Sequence, residues 1–149
     1  MNIGHFCTRY VVFAYPGTSL GEAAQLMRDH HVGSLVVAKE GDPGRAPIGI
    51  ITDRDIVVEV LAAGVDYRPL TVGEVMSREL VTAREEESAL DVLGVMRQRG
   101  IRRIPVVNAA GALTGIVTID DLLAITAEEL DHVVKAIAGG QYREVRTRR

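Results

Sequence analysis

The sequence contains no tryptophan, a single cysteine, Cys7, and only 4% aromatic residues among its 149 residues. A lone cysteine cannot form a disulfide within the chain, and it excludes a metal site built from several cysteines. Few aromatic rings mean few platforms on which nucleic-acid bases could stack, so the core must be aliphatic. The length suits one domain, or two small units that share a core, and is too short for a catalytic barrel.

A strong net charge and a long apolar run are also absent. The net charge of −3 gives no overall attraction for nucleic acid, and we expect no such partner. The apolar residues at 56–65 are interrupted by Glu59, and the first residues lack the charged and apolar regions of a signal peptide. These features predict a soluble, cytoplasmic protein that does not contact membranes, with a solvated basic tail at residues 143–149.

An internal repeat organises the chain. A shift of 69 positions aligns the two halves, so that Met27 falls on Met96. Beyond the loop at residues 39–47 the shift becomes 66, and residues 49–55 fall on residues 115–121. A chance match would not keep one register across several elements and change only in a loop, where insertions are tolerated.

Each repeat has the pattern β-α-β-β-α. Hydrophobic periodicity predicts strands at 11–14, 34–38, 49–52, 80–83, 103–107 and 115–118, and helices at 20–31, 53–63, 88–99, 119–125 and 127–138. Ser19 is placed to cap the first helix, and glycines follow several of the others. We therefore predict repeat 1 at residues 1–67, repeat 2 at 68–126, and a C-terminal helix with a basic tail at 127–149. Neither repeat alone is large enough to bury a good core, so the two should face each other.

Two motifs carry a resemblance to a known family. The sequence GIITDRDI at 49–56 is echoed by GIVTIDDL at 115–122, and IRRIPVV occupies residues 101–107. A Gly-apolar-x-Thr-x-x-Asp pattern that occurs twice in register resembles the hallmark of the CBS domain family, named after cystathionine β-synthase. The resemblance covers about residues 3–125. It implies an α+β fold in which tandem β-α-β-β-α repeats form one CBS-pair, or Bateman-type, module with pseudo-two-fold symmetry.

The resemblance also implies a function. Such modules often bind adenosine ligands in two clefts between the repeats, usually AMP, ADP or ATP, and in some members NAD or S-adenosylmethionine. They are usually regulatory rather than catalytic, and they commonly pair into flat homodimers. We accordingly expect an adenosine-nucleotide sensor that is not an enzyme, has no catalytic residues, metal or obligatory cofactor, and signals through an effector protein that the sequence does not identify.

Threonine and aspartate at the strand-to-helix turns are the first candidate ligand contacts. A hydroxyl at the start of a helix lies beside unpaired N–H groups that favour an anion, so we assign Thr52 and Thr118 to phosphate. A carboxylate one turn later can accept both hydroxyls of a ribose, and we assign Asp55 and Asp121 to that role. The same Thr-x-x-Asp spacing is also close to a capping box, which needs no ligand.

Arginines and valines complete the predicted sites. Arg102 and Arg103 lie where the family pattern has basic residues that contact phosphate, which suits the forked guanidinium. We place adenine near Val12 and Val81. In repeat 1 the segment equivalent to the arginine pair is Gly33-Ser34, which carries no charge. Arg54 supplies charge in repeat 1 instead, so we expect the two sites to differ.

Other interpretations remain open at this stage. The arginine pair at 102–103 could instead be an exposed pair on a strand edge that discourages aggregation. Cys7 falls where repeat 2 has Met76, which favours a packing role over a redox-sensing thiol. Two other function classes are a structural or interaction subunit with empty clefts and, ranked lowest, an enzyme that slowly hydrolyses nucleotides. No catalytic motif of a known type occurs in the sequence.

Overall fold

A computed structural model, which describes residues 1–148, shows an α+β protein with two small sheets and five α-helices. The strands are β1 (Phe13–Ala14), β2 (Ser34–Ala38), β3 (Pro47–Thr52), β4 (Ala83–Arg84), β5 (Arg103–Val107) and β6 (Leu113–Thr118). The α-helices are α1 (Leu20–His30), α2 (Asp53–Asp55), α3 (Val72–Val75), α4 (Ala89–Arg99) and α5 (Ile119–Thr147). A 3₁₀ turn occupies Ile3–His5, and α2 continues as a π-helical segment, Ile56–Leu61.

The two sheets have the same topology. In each sheet the middle strand pairs in parallel with the short first strand and antiparallel with the third, giving the orders β1-β2-β3 and β4-β5-β6. Even the irregularities correspond, since the antiparallel register shifts after Val37 in one sheet and after Val106 in the other. The predicted α+β fold class and the tandem repeat are therefore confirmed.

The leading segment of each repeat crosses over to the other repeat. Ile3 is fully buried in the core of the second sheet, and Val72, its counterpart, is fully buried in the core of the first. Gly4 N donates to Glu85 O at 3.0 Å, and Gly73 N donates to Pro16 O at 2.9 Å. The two repeats thus form one module, because each completes the core of the other.

The buried side chains are almost entirely aliphatic, as the scarcity of aromatic residues predicts. One cluster packs α1 against β2 and β3, with Leu20, Leu35 and Ile51 at its centre. The second packs α4 against β5 and β6, with Val92 and Ile104. These branched side chains fit a pleated surface and bury it against an amphipathic helix.

Hydrogen bonds at the helix ends explain where α1 and α4 begin and stop. The predicted cap is confirmed, since Ser19 Oγ accepts from Glu22 N at 3.1 Å, and Ser88 Oγ caps α4 at the same distance from Asp91 N. Both helices end on a left-handed residue, His31 with φ 53° and Gly100 with φ 65°. The left-handed residue at the end of each helix reverses the chain direction and leads it into the next strand, β2 after α1 and β5 after α4.

The C-terminal helix differs from the prediction of two helices that end at Gly139. Helix α5 runs without a break from Ile119 to Thr147, through the predicted boundary at residue 127 and through the glycine pair. At the predicted boundary, Thr126 Oγ1 donates to Leu122 O at 2.8 Å, the carbonyl one turn earlier in the same helix. The threonine therefore does not cap a new helix there. A glycine in an exposed helix costs only about 1 kcal/mol, too little to end it without a proline or a cap.

The basic end, predicted as a solvated tail, is exposed and is helical as far as Thr147. The strands β1 and β4 are two residues long and not four. Among residues 1–148, the helices are too short or too polar to cross a membrane.

Candidate ligand-binding clefts

Two cavities lie between the repeats and are related by the repeat symmetry. The first, cleft A, has a volume of about 380 Å³ and is lined by Ile50, Thr52, Arg54, Val81, Arg102 and Arg103, among others. The second, cleft B, has about 410 Å³ and is lined by Val12, Ser34, Arg103, Ile116 and Thr118, among others. Both volumes lie within the range of small-molecule sites.

Each cleft takes its walls from both repeats. In cleft A, β3 of repeat 1 contributes Thr52 and the segment before β4 of repeat 2 contributes Val81. In cleft B the roles are exchanged, with Thr118 from β6 and Val12 from the segment before β1. Each cavity thus has a threonine from one repeat and a valine from the other, a pairing that the sequence did not specify.

Thr52 and Asp55 form a capping box. Thr52 Oγ1 accepts from Asp55 N at 3.1 Å, and Asp55 Oδ2 accepts from Thr52 N at 2.9 Å. A hydroxyl that accepts a hydrogen bond still has its own proton to donate, so Thr52 retains a donor for an anion in cleft A.

Thr118 and Asp121 form the equivalent box, with distances of 3.2 Å and 2.9 Å. Neither Asp55 nor Asp121 is among the residues that line the two clefts. In this structure both aspartates cap a helix. The hydrogen bonds of each capping box also hold in place the hydroxyl of the threonine that lines the cleft.

Arg103 lies on the wall between the clefts and lines both. Its Nη1 donates to Ser34 Oγ at 2.5 Å, across the pseudo-two-fold axis. Half-buried Arg103 belongs to β5, and its neighbour Arg102 is exposed at the mouth of cleft A. A guanidinium offers donors on several edges, so Arg103 can face Ser34 and a ligand at once.

The two clefts differ in the number of charged side chains that line them. Cleft A has the guanidinium groups of Arg54, Arg102 and Arg103, opposed by the carboxylates of Asp53 and Glu79. Asp53 Oδ1 accepts from Arg54 N at 2.8 Å, so one carboxylate oxygen of Asp53 is already hydrogen-bonded to the backbone. Cleft B has Arg103 as its only arginine or lysine among the described lining residues. With His30 neutral, the formal charge of the lining is +1 in both clefts, but cleft A offers three guanidinium groups to an anion and cleft B offers one.

An aliphatic wall accompanies the charged one in cleft A. Ile50, Leu80, Val81, Ile101 and Pro105 present apolar surface to the cavity. In combination with the arginines, this cavity can hold a flat apolar ring at one end and an anionic group at the other.

The sequence did not single out several lining residues. Glu79 lies beside cleft A, and Tyr10, its repeat counterpart, lies beside cleft B together with His30. The internal repeat contained the signal that would have found them, because a residue two positions before Val81 must correspond to one two positions before Val12.

Three groups outside the clefts, Cys7, Arg9 and Glu85, have perturbed pKa values. The hydrogen-bonded ion pair with Arg9 lowers the pKa of Glu85. Arg9 is exposed and Glu85 is half-buried where the leading segment crosses to repeat 2. Burial raises the pKa of the Cys7 thiol, with Arg9 opposing and Glu85 adding to the shift. Cys7 therefore remains a neutral, buried thiol in the folded protein.

The described part of the chain contains no group of three or more His, Cys, Asp or Glu side chains that could hold a metal ion.

Comparison with known proteins identifies both repeats. The family model described as "CBS domain" matches residues 3–62 and 72–128. The uncharacterized protein MK0525 from Methanopyrus kandleri is 35% identical over 125 residues, which cover 84% of this chain. This chain spans 62% of the length of that relative.

Solved structures share the fold over most of their length. Hypoxic Response Protein I, crystallised with two coordinated zinc ions, has a TM-score of 0.73 and 32% identity, over 83% of this chain and 98% of that chain. The CBS domain pair of protein MJ0100, in complex with 5′-methylthioadenosine and S-adenosyl-L-methionine, has a TM-score of 0.74 and 27% identity. The alignment covers 87% of this chain and 98% of that one.

Proposed function

Because the chain belongs to the CBS domain family, we propose that it is a regulatory module that binds AMP, ADP or ATP in cleft A. Adenine occupies the aliphatic wall formed with Val81, and the phosphates lie toward Thr52 and the arginines. Asp55 caps the adjoining helix and lies outside the lining of cleft A; we propose that its second carboxylate oxygen accepts from the ribose hydroxyls once the bound ligand draws the two together.

The observation that carries this proposal is the convergence of Arg54, Arg102 and Arg103 with Thr52 on one aliphatic-walled cavity. Charge-assisted hydrogen bonds contribute roughly 1.5–3 kcal/mol each. A few such bonds, together with burial of the base, support micromolar affinity, which corresponds to about −8 kcal/mol.

Cleft B favours a different adenosine ligand. Arg103 is its one guanidinium, against three in cleft A, so it offers fewer charged donors to a chain of phosphates. We infer that it takes an adenosine compound with less negative charge, such as S-adenosylmethionine, or the adenosine part of NAD. The complex of the MJ0100 domain pair with 5′-methylthioadenosine and S-adenosyl-L-methionine supports adenosine derivatives as ligands of this fold.

The proposed role is signalling and not catalysis. A ligand shifts the module between two states only by its different affinity for them, and the output must pass to an effector protein. We also propose that the chain acts as a homodimer. Exposed Val57, Val58 and Leu61 on the π-helical segment support this, because they form an apolar patch that association would cover.

A thermal-shift panel tests the proposed function. AMP, ADP, ATP, NAD and S-adenosylmethionine are each added to the full chain, with GMP and inorganic phosphate as controls. A ligand that binds only the folded state raises the midpoint as its concentration rises. We expect a rise with at least one adenosine nucleotide that exceeds the rise with phosphate. No shift at millimolar concentration would leave a structural or interaction subunit with empty clefts, and product formed from ATP would indicate an enzyme.

A further inference from the structure

A third cavity, which we name the arginine pocket, adjoins cleft B. It has a volume of about 340 Å³, and its lining includes Arg9, Phe13, Arg45 and Thr114. The residues that it shares with cleft B are Tyr10, Val11, Val12 and His30. No aspartate or glutamate is among its described lining residues, so with the histidine neutral its formal charge is +2, against +1 in each cleft. The walls of the arginine pocket therefore carry positive charge only.

Arg45 supplies the unpaired charge of this pocket. Its guanidinium carbon lies 4.6 Å from the centroid of the Phe13 ring, a cation–π contact that leaves the N–H donors at the edge of the group available. Within residues 1–148, Arg45 takes part in no ion pair. The carboxylate of Asp42, in the same loop, accepts from Gly44 N at 2.9 Å and from Ala46 N at 3.4 Å, so the backbone occupies both of its oxygens.

The backbone at Arg45 is better suited to glycine. Arg45 has φ 50°, in the left-handed region that residues with a Cβ rarely adopt. Its counterpart in repeat 2 is Gly111, with φ 80°. The two turns close in the same way, since Arg45 N donates to Asp42 O at 3.0 Å and the glycine N donates to Asn108 O at 3.0 Å. Glycine adopts this conformation without strain, so the stability of the turn does not account for an arginine there.

Arg9 is the second cation of the pocket, and its guanidinium is held in place. It forms an ion pair with Glu85, and its Nη1 donates to Thr114 O at 3.3 Å. These contacts fix the group at the start of β6, where Leu113 N donates to Arg45 O at 3.3 Å. Because Glu85 neutralises part of the charge of Arg9, the free attraction for an anion comes chiefly from Arg45.

The aromatic ring and the free charge of the pocket occur in repeat 1 alone. The residues equivalent to Phe13 and Arg45 in repeat 2 are Thr82 and Gly111, which provide neither a ring nor a charge. Arg45 lies in the loop between β2 and β3, which has eight residues, against five in the loop between β5 and β6. The pocket is thus an addition to one repeat and not a consequence of the repeated fold.

We propose that the arginine pocket binds a phosphate group, which Arg45 and Arg9 hold through the forked donors of their guanidinium groups. The phosphate is either free or part of a compound that continues past the shared residues into cleft B. The pocket and cleft A have no lining residue in common. This proposal therefore does not rest on the nucleotide proposed for cleft A, and the two succeed or fail separately.

Titration of the full chain with inorganic phosphate, followed by ¹H–¹⁵N NMR, tests the pocket. We expect saturable shifts of the amide signals of residues 9–13, 45 and 113–114. Arg45→Gly should weaken this binding about tenfold or more. The variant should be at least as stable as the wild type in urea, because glycine suits the left-handed backbone. Arg45→Asn, which also tolerates this backbone, should lose binding likewise.

Arg97→Ala is the matched control, because Arg97 is exposed on α4 and lines neither the pocket nor the clefts. It removes the same charge and should bind phosphate as the wild type does. Undiminished binding by Arg45→Gly would overturn the proposal. Phosphate shifts that are confined to cleft A, or no saturable shift at the pocket signals, would overturn it as well.

A comparison of adenosine with AMP identifies the source of the phosphate group. If the pocket takes free phosphate, saturating adenosine leaves phosphate binding unchanged, and Arg45→Gly leaves AMP binding at cleft B unchanged. If the pocket takes part of a larger compound, AMP shifts the signals of the pocket and of cleft B together, and Arg45→Gly weakens that binding. Both results support the pocket and assign its ligand.

Discussion

Arg103 and Ser34 occupy equivalent positions in the two repeats and are hydrogen-bonded to each other, from Nη1 to Oγ at 2.5 Å. The contact lies across the pseudo-two-fold axis, where a symmetric ancestor would have placed two identical side chains. Because one residue is now an arginine and the other a serine, a single guanidinium lies between two cavities. Both clefts therefore share this guanidinium, and they differ because Arg54 and Arg102 line cleft A alone.

This arrangement predicts that Arg103→Ser weakens ligand binding in both clefts, whereas Arg102→Ser weakens it in cleft A alone. Loss of one charge-assisted contact should reduce affinity about tenfold or more. Equilibrium dialysis with labelled AMP measures the affinity of cleft A, and labelled S-adenosylmethionine measures that of cleft B, according to the proposed preference of each ligand. Equal losses from the two variants for both ligands would contradict the shared position of Arg103.

The capping boxes predict a combined effect at the aspartates. Asp55→Ala and Asp121→Ala should each lower the free energy of unfolding by about 1 kcal/mol, because Thr52 N and Thr118 N lose their acceptors. If Asp55 also holds ribose, its variant loses nucleotide affinity as well. Chemical denaturation without ligand and calorimetric titration separate the two effects. Reduced stability with unchanged binding would assign Asp55 to capping alone.

Close approach of the crossing segments predicts the cost of two glycine substitutions. A Cβ at Gly49 would lie 2.7 Å from Ser77 O, and one at Gly115 would lie 2.7 Å from Cys7 Sγ and 3.0 Å from Thr8 O. Gly49→Ala and Gly115→Ala should therefore destabilise the protein by about 1–3 kcal/mol, as overpacking does.

Gly94 in α4 is the matched control for these substitutions, because nothing lies within 4 Å of a Cβ there. Gly94→Ala should stabilise by about 0.5–1 kcal/mol, since alanine is the better helix former. Urea denaturation measures all three variants. A Gly115→Ala protein as stable as the wild type would show that the leading segment does not pack against β6.

The raised pKa of Cys7 predicts a loss of stability at alkaline pH. The folded protein keeps the thiol proton at a pH where the unfolded chain, with a thiol pKa of about 8.5, has lost it. The folded state then binds more protons, so stability is fully present below the unfolded pKa and declines as the pH rises above it. Thermal midpoints from pH 7 to 10 should fall less steeply in Cys7→Ala than in the wild type. Parallel curves would contradict the prediction.

The repeat made much of the fold predictable. Once residues 49–55 were aligned with 115–121, each strand had a partner in the other half, and the sequence placed β2 and β5 at their observed bounds. The crossover of Ile3 and Val72 was not predictable, because which half a short apolar segment packs on depends on tertiary contacts. The length of α5 was not predictable either. The low helix propensity of Gly139 and Gly140 favours a helix end there, but no capping residue stops the helix in the structure.

Part of the site was equally predictable. The motif located Thr52 and Thr118 because the turn from a strand to a helix is a local feature. The sharing of Arg103 by two cavities depends on its distance from Ser34 across the axis, and no sequence spacing encodes that distance.

Calorimetric titration of AMP into the full chain tests the central claim that the clefts bind adenosine nucleotides. The account predicts saturable binding with a dissociation constant in the micromolar range, at one or two sites per chain. It also predicts that Arg102→Ser/Arg103→Ser removes most of this binding while the protein stays folded. No saturable heat with the wild type up to millimolar AMP, or undiminished binding by the double variant, would contradict the claim.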